Sequence, residues 1–274
     1  MKNSVMFCLE GKKAVITGGA GVLGTGIAQA LGHAGADIAV CDIRDAGNTV
    51  KRLKTSGVRA KGFYIDVLQK DSINACCEEV MDEFGRIDIL VNAAGGNVEQ
   101  ATTSGDREFF DIPLAAMEKV VGLNLFGGAI LPAQVFGKKM IKNKSGGSVI
   151  NISSMNAFRP LTRIAGYSAA KAAVSNFTQW LAVHFAMDYN PKLRVNAIAP
   201  GFFLTEQNRY LLLDKKTGRL TARGKSVIDH TPMSRFGQPE ELNGAVIWLA
   251  SDASSFVTGT VVVIDGGFSA FAGV

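Results

Sequence analysis

The chain has 274 residues, 47% of them hydrophobic, 19% charged and 31 glycine. That composition supports one large buried core and excludes disorder, and glycines without a triplet period exclude collagen. The 29 Lys+Arg against 24 Asp+Glu leave a net charge of +5, but no basic stripe interleaved with aromatics accompanies it, so no nucleic-acid partner is expected.

Residues 14–36 contain no Asp, Glu, Lys or Arg and could span a bilayer by length, yet they include seven glycines, Thr17, Thr25, Gln29 and His33. They read as a strand, a loop and a helix, and no membrane association is expected. No charged segment followed by a short apolar run and a cleavage site marks a secretory leader. Cys8, Cys41, Cys76 and Cys77 show neither disulfide-framework nor metal-ligand spacing. Reduced thiols, a cytoplasmic location and no metal are the expectations.

Short β-rich runs at 13–17, 37–42, 61–66, 87–92, 148–153, 193–199 and 261–265 predict seven strands. Helical length and periodicity fall near 22–34, 45–56, 70–84, 114–143, 165–189 and 239–251. Near-continuous apolar strands alternating with helices predict a doubly wound α/β domain over 1–274, its mostly parallel sheet covered on both faces. Segments 44–59, 100–113 and 206–238 look loosely constrained. The last is long for an internal loop, and a substrate lid is expected at about 203–237.

The first strand runs into Thr17-Gly18-Gly19-Ala20-Gly21-Val22-Leu23-Gly24. Gly19, Gly21 and Gly24 satisfy the GxGxxG spacing, which permits a tight turn and close approach of a pyrophosphate to free N–H groups at a helix start. Asp42 ends the second strand, 18 residues beyond Gly24, where a carboxylate can accept from ribose hydroxyls and repel a 2′-phosphate. This favours NAD over NADP. Two readings stay open: Asp42 as a turn cap, and Arg44 as a phosphate ligand.

Between Arg163 and Asp188 the only Lys, Arg, Asp or Glu is Lys171. A lone lysine in a buried helix needs a partner. Tyr167, four residues earlier, shares its helix face, so the ammonium can lower the phenol pKa from about 10. Tyr167 then becomes a candidate general acid/base; a lysine snorkelling past a surface tyrosine is the alternative.

Tyr167-Ser168-Ala169-Ala170-Lys171 resembles the YxxxK signature of the short-chain dehydrogenase/reductase family. Thr17–Gly24 resembles its TGxxxGxG loop, Asn92-Ala93-Ala94-Gly95 its NAAG, and Asn196–Gly201 with Thr205 its PGxxxT segment. Ser154 lies 13 residues before Tyr167, and Asn124 matches the family's helix asparagine. The resemblance covers roughly residues 10–267. It departs at Val22, where the family usually has glycine; Gly21 is expected to take over the turn there.

The resemblance implies a single Rossmann domain and hydride transfer on a CH–OH group. It implies that Tyr167 exchanges the proton, Ser154 binds the substrate oxygen, Lys171 binds the nicotinamide ribose and Asn124 holds a relay water. For the cofactor it implies Gly18, Gly19, Gly21, Val22, Leu23 and Gly24 at the phosphates. Asp42 and Ile43 would serve the ribose end, with Asp66 and Val67 at adenine. Asn92, Ala93, Ala94 and Gly95 would lie beside it, and Pro200, Gly201 and Thr205, with Ile198, near the nicotinamide. It also implies a homotetramer through the helix at 120–137, which carries no Lys, Arg, Asp or Glu, and the helix at 164–187, which carries one.

Substrate contacts are expected from Asn97, Ser154, Asn156, Arg159, Gln207 and Arg209. Residues 209–235 hold seven Lys+Arg and two acids, a positive segment that would steer an anionic substrate; a solvated basic surface is the alternative. Residues 93–97, 153–158 and 200–209 resemble the D-mannonate oxidoreductases of this family. They imply interconversion of D-mannonate and D-fructuronate. A gluconate 5-dehydrogenase, a 3-oxoacyl thioester reductase and an NAD-binding regulator are the alternatives.

Overall fold

The computed structural model describes residues 6–205, 209 and 211–273. Its strands are β1 (Lys13–Thr17), β2 (Asp37–Asp42), β3 (Ala60–Tyr64), β4 (Ile89–Asn92), β5 (Gly147–Ile152), β6 (Leu193–Pro200) and β7 (Val261–Ile264). They form one sheet in the order β3-β2-β1-β4-β5-β6-β7. Every neighbouring pair is parallel. The chain winds outward from β1 through β2 to β3, then returns past β1 and winds the other way from β4. The crevice between the loops leaving β1 and β4 is therefore the switch point where open α/β sheets bind ligands.

The helices are α1 (Val22–His33), α2 (Gly47–Thr55), α3 (Lys70–Phe84), α4 (Leu114–Met140), α5 (Ala165–Asp188), α6 (Ala222–Asp229) and α7 (Asn243–Ala250). Strand residues alternate between two cores. Val15, Ala39, Leu90 and Val149 meet Ile73 and Val80 of α3, Phe136 of α4 and Leu181 of α5. Ala14, Ile16, Ile38 and Val91 meet Ile27 and Leu31 of α1, Leu53 of α2 and Val246 and Leu249 of α7. Helix α4 is long and apolar enough to cross a membrane by composition alone, but Ala129, Ala133, Phe136 and Met140 are buried in this structure.

Five strands have a start or an end within two residues of the expected position rather than on it. At 65 and 153 backbone pairing persists past the strand ends: the Ile65 N–H donates to Asp42 O at 3.1 Å and the Ser153 N–H to Ile198 O at 2.8 Å. The expected helix at 239–251 begins with a tight turn at Pro239–Leu242 before α7. Helix α6 lies within the segment expected to be irregular. Its signal was Thr221, whose Oγ1 accepts from the Gly224 N–H at 3.0 Å as an N-cap.

The register places Thr17 beside Asn92 and Asn92 beside Asn151, a polar row at the sheet's C-terminal edge. All three are fully buried. Asn92 Nδ2 donates to Asn151 Oδ1 at 2.8 Å, and Asn151 Nδ2 donates to Thr178 Oγ1 of α5 at 2.9 Å. This chain ties β4, β5 and α5 together behind the switch point. Replacing Asn151→Ala removes both bonds and leaves the Asn92 amide buried without an acceptor. We expect a loss of about 1–3 kcal/mol in urea unfolding, with the denaturant slope unchanged.

Candidate active site

The turn after β1 depends on Gly18. Its φ is +66°, and a Cβ there would stand 2.8 Å from the Ala93 carbonyl and the Ala94 nitrogen. The loops of β1 and β4 therefore touch only because Gly18 has no side chain. Gly24 allows the second close approach, since its Cβ would lie 2.2 Å from the Gly18 carbonyl. Gly21 does not take over the turn as expected. Its φ is −75°, it precedes α1 as N-cap, and its N–H donates to Gly18 O at 3.1 Å. Val22 opens the helix, where a side chain costs nothing, which is why the family's glycine can be missing.

Helix α1 has no acidic residue in its first turn and no side-chain cap. Its hydrogen-bonding begins with Thr25 N–H to Gly21 O at 2.8 Å. The preceding amides of Val22, Leu23 and Gly24 line a cavity of about 540 Å³. Asp42 and Ile43 close one end of it, and Asp66 and Val67 lie beside them. Ala93, Ala94 and Gly95 form its floor, and Ser154, Tyr167, Pro200, Gly201 and Thr205 the other end. Arg44, Ile65, Leu123 and Phe203 also line it; they follow or precede the motif positions and carry no motif of their own.

Three expected cofactor residues, Gly19, Asn92 and Lys171, lie outside the cavity lining. Gly19 is packed against β2, where a Cβ would meet Val40 Cγ1 at 2.8 Å, and its N–H donates to Cys41 O at 3.1 Å. Asn92 Nδ2 is spent on Asn151, while its buried Oδ1 has no hydrogen-bond partner among the described residues. Gly19 and Asn92 support the loop that meets the ligand.

Asp42 is 4% exposed. Its Oδ2 accepts from Ala20 N–H at 3.0 Å, and its Oδ1 accepts from Arg44 N–H at 2.9 Å and Arg44 Nε at 3.2 Å. The carboxylate thus braces the glycine turn and holds the Arg44 side chain. Asp42 is a cap and a cavity wall at once, so the two readings of it are not exclusive.

Asn124 is fully buried in a stretch of α4, Gly122–Ile130, wound as a π-helix. Its Nδ2 donates to Val120 O at 2.8 Å and Gly96 O at 2.6 Å, and its Oδ1 accepts from Gly96 N–H at 3.1 Å. The side chain satisfies a carbonyl in the wider winding and clamps the peptide after Gly95. One lone pair on Oδ1 is left. A Cβ on Gly95 would sit 2.8 Å from that Oδ1 and 3.4 Å from Lys171 Nζ, so both groups converge on the bare glycine.

Lys171 Nζ donates to Ile152 O at 2.7 Å and lies 5.6 Å from the Tyr167 ring centre. Burial pushes its pKa down to about 8. Burial pushes the Tyr167 phenol up, opposed by its hydrogen bond with Ser154. The expected lowering of Tyr167 by Lys171 is not found in this geometry: desolvation of the phenolate dominates, and what opposes it is the Ser154 hydrogen bond. Ser154 is 7% exposed, and its Oγ also accepts from Asn156 N–H at 3.3 Å.

The expected substrate residues divide. Asn156 is 6% exposed, and its Oδ1 has no hydrogen-bond partner among the described residues. Asn97 is exposed and donates to Thr102 Oγ1 at 2.8 Å. Arg159 Nε donates to the Ser269 carbonyl at 2.9 Å, which assigns it to the C-terminal segment. Arg209 is exposed. Gln207 lies outside the described residues. None of Asn97, Asn156, Arg159 and Arg209 lines the main cavity.

Residues 18–269 match the family model described as Enoyl-(Acyl carrier protein) reductase. The chain belongs to the short-chain dehydrogenase/reductase family. An uncharacterized oxidoreductase of Haemophilus influenzae is 45% identical, over 97% of this chain and 96% of its own length. A solved structure from Haemophilus influenzae, named as a candidate D-mannonate oxidoreductase and holding NAD, superimposes with a TM-score of 0.91. It is 44% identical and covers 99% of both chains. A gluconate 5-dehydrogenase from Burkholderia cenocepacia, solved with NADP and tartrate, has a TM-score of 0.85. It is 32% identical over 98% of this chain and 99% of its own. The chain is thus an oxidoreductase built for alcohol and carbonyl chemistry.

The depressed Lys171 pKa has a stability consequence. Between pH 8 and about 10.5 the unfolded chain holds a proton on this residue that the folded chain has released, so folding gains stability as pH rises through that window. At pH 7 the buried ammonium costs roughly 3 kcal/mol relative to an exposed one. Lys171→Met keeps the packing and removes the charge. We expect it to melt at or above the wild-type temperature at pH 7, the difference closing by about pH 10 in a calorimetric series.

Proposed function

We propose that this protein interconverts D-fructuronate and D-mannonate with NAD as hydride carrier. The observation that carries the reading is the single cavity reaching from the Asp42 carboxylate to the Ser154–Tyr167 pair. Its fit to a dinucleotide rests on the crowded bare glycines at 18 and 24, the open amides of α1, and the acid at the far end. When bound, NADH supplies the hydride.

The chain's own residues do the rest. In reduction, the Tyr167 hydroxyl gives its proton to the ketone oxygen, and its raised pKa keeps that proton available at neutral pH. Ser154 donates a hydrogen bond to the same oxygen as charge develops there. The Lys171 ammonium favours the tyrosinate left behind and can reach ribose hydroxyls over Gly95. Asn124 fixes the Gly95–Gly96 peptide that separates the two ligands' ends. Oxidation runs the same contacts in reverse.

The NAD assignment is supported by Asp42, whose buried carboxylate would repel a 2′-phosphate, and by the NAD held in the Haemophilus structure. The mannonate assignment is supported by that protein's name. Oxidation of gluconate at carbon 5 is the second reading, favoured by the Burkholderia enzyme. The segment 203–237 serves as the substrate lid in either case.

The groove of about 490 Å³ between α4 and α5, walled by Phe177, Trp180 and Phe185, is supported as the contact between copies in a homotetramer. Trp180 is 56% exposed and Met187 79%. Trp180→Glu is expected to lower the mass seen by light scattering.

Loss of absorbance at 340 nm with NADH and D-fructuronate tests the activity; turnover of gluconate or acetoacetyl thioester alone would overturn it. Tyr167→Phe should reduce kcat by about 10²–10⁴-fold and leave NAD affinity within a factor of about two. Asp42→Ala should release Arg44 and shift the ratio of kcat/KM toward NADP by at least about tenfold, roughly 1.4 kcal/mol.

A further inference from the structure

The carboxylate that faces the dinucleotide cavity has no acceptor to spare. Asp42 Oδ2 accepts from the Ala20 N–H at 3.0 Å and from Arg44 Nη2 at 3.4 Å. Its Oδ1 accepts from the Arg44 N–H at 2.9 Å and from Arg44 Nε at 3.2 Å. A carboxylate offers about four lone-pair sites, and these four donors fill them. A ribose diol therefore reaches Asp42 only by displacing one of them. The two backbone N–H groups belong to the glycine turn and to the chain just after β2, and they make the shorter contacts. The guanidinium contacts are longer, and the Arg44 side chain is 57% exposed. The Arg44 side chain is the donor that yields.

Its surroundings say where it can go. Arg44 Nη2 lies 3.5 Å from where a Cβ on Gly21 would stand, beside the start of α1. Arg44 is the only Lys or Arg among the described residues that line the dinucleotide cavity, against two acids, Asp42 and Asp66. Beyond it lies a second cavity of about 330 Å³, between the turn at 43–47, Val50 of α2 and Gly62–Tyr64 of β3. Ile43 and Arg44 line both cavities. The one acid lining the second is Asp45, whose Oδ1 accepts from the Gly47 N–H at 2.9 Å. The space at the ribose end thus continues past Asp42, with a loosely held guanidinium at the junction.

A buried acid standing alone would exclude a phosphorylated ribose by charge. Here the acid carries its own counter-ion, and that counter-ion is exposed and next to unfilled space. A neutral diol and a phosphate ask opposite things of the pair. The diol takes the acceptors of Asp42 as the guanidinium leaves. The phosphate takes the donors of the guanidinium, whose planar fork matches it.

We propose that Arg44 is a switchable counter-ion that lets this enzyme use NADP as well as NAD. It yields Asp42 to the ribose diol of NAD, and it turns toward the cavity beside β3 to hold the 2′-phosphate of NADP. NAD stays preferred, because Asp42 remains buried at the ribose end. The inference deepens the coenzyme reading given above and rests on the cavity being a dinucleotide site; it is independent of which acid is the substrate.

Calorimetric titration with NADH, NADPH, 5′-AMP and adenosine 2′,5′-bisphosphate tests it without any sugar acid present. The wild type should bind NADPH within about 100-fold of NADH. Arg44→Gln should weaken NADPH and the bisphosphate by about 10–100-fold, the worth of a charge-assisted hydrogen bond or two. It should tighten NADH and 5′-AMP by about 2–5-fold, the worth of an exposed ion pair that no longer competes. Arg44→Lys should recover part of the NADPH affinity, since it restores the charge without the fork. Its NADH binding reports whether the turn is intact. No NADPH binding by the wild type, unchanged bisphosphate affinity in Arg44→Gln, or equal losses of NADH and NADPH overturns the switch. A protein that binds both coenzymes but reduces no fructuronate overturns the proposed function alone, and one that binds neither coenzyme overturns both.

Discussion

The site exists because two loops can touch where the sheet changes its winding direction. Gly18 carries that contact: a left-handed φ and no Cβ, which would stand 2.8 Å from the Ala93 carbonyl and the Ala94 nitrogen. Any side chain there would separate the loop of β1 from the loop of β4 and displace the start of α1. Everything that follows in the cavity is placed relative to those loops. Asp42 reaches the turn through Ala20, and Asn124 reaches the second loop through Gly96.

The same loops are supported by buried polar groups rather than by apolar packing. Thr17, Asn92 and Asn151 sit side by side at the sheet edge, and their amides are used on each other and on Thr178. Such a row is costly if any member loses its partner. It also defines which face of α5 meets the sheet, and hence where Tyr167 and Lys171 lie. The π-wound stretch of α4 makes the complementary adjustment, turning the Asn124 amide toward the backbone instead of leaving it on a regular helix.

Much of this was legible because it is local. The strand–helix alternation follows from side-chain periodicity, the phosphate loop from glycine spacing, and the Tyr167–Lys171 pair from one helical turn. What escaped depended on distant partners. Gly19 and Asn92 carry motif letters, yet the Gly19 N–H is used by Cys41 and the Asn92 Nδ2 by Asn151. Arg159 and Arg209 looked alike in the chain, but Arg159 finds a carbonyl 110 residues away. Helix α6 was hidden in a segment rich in lysine and arginine, although Thr221 announced its cap. The direction of the Tyr167 shift was misjudged for the same reason: the spacing to a lysine is visible in sequence, the depth of burial is not.

The amino-acid sequence by itself determined the order of elements, the doubly wound class, the glycine turn and the residues able to move a proton, since each rests on neighbours within a turn or a strand. Only the tertiary structure decided which polar groups are spent and which are free. That division belongs to long-range packing: a carboxylate 22 residues from the turn it braces, an asparagine chain crossing two strands and a helix, and an arginine held by a carbonyl 110 positions away.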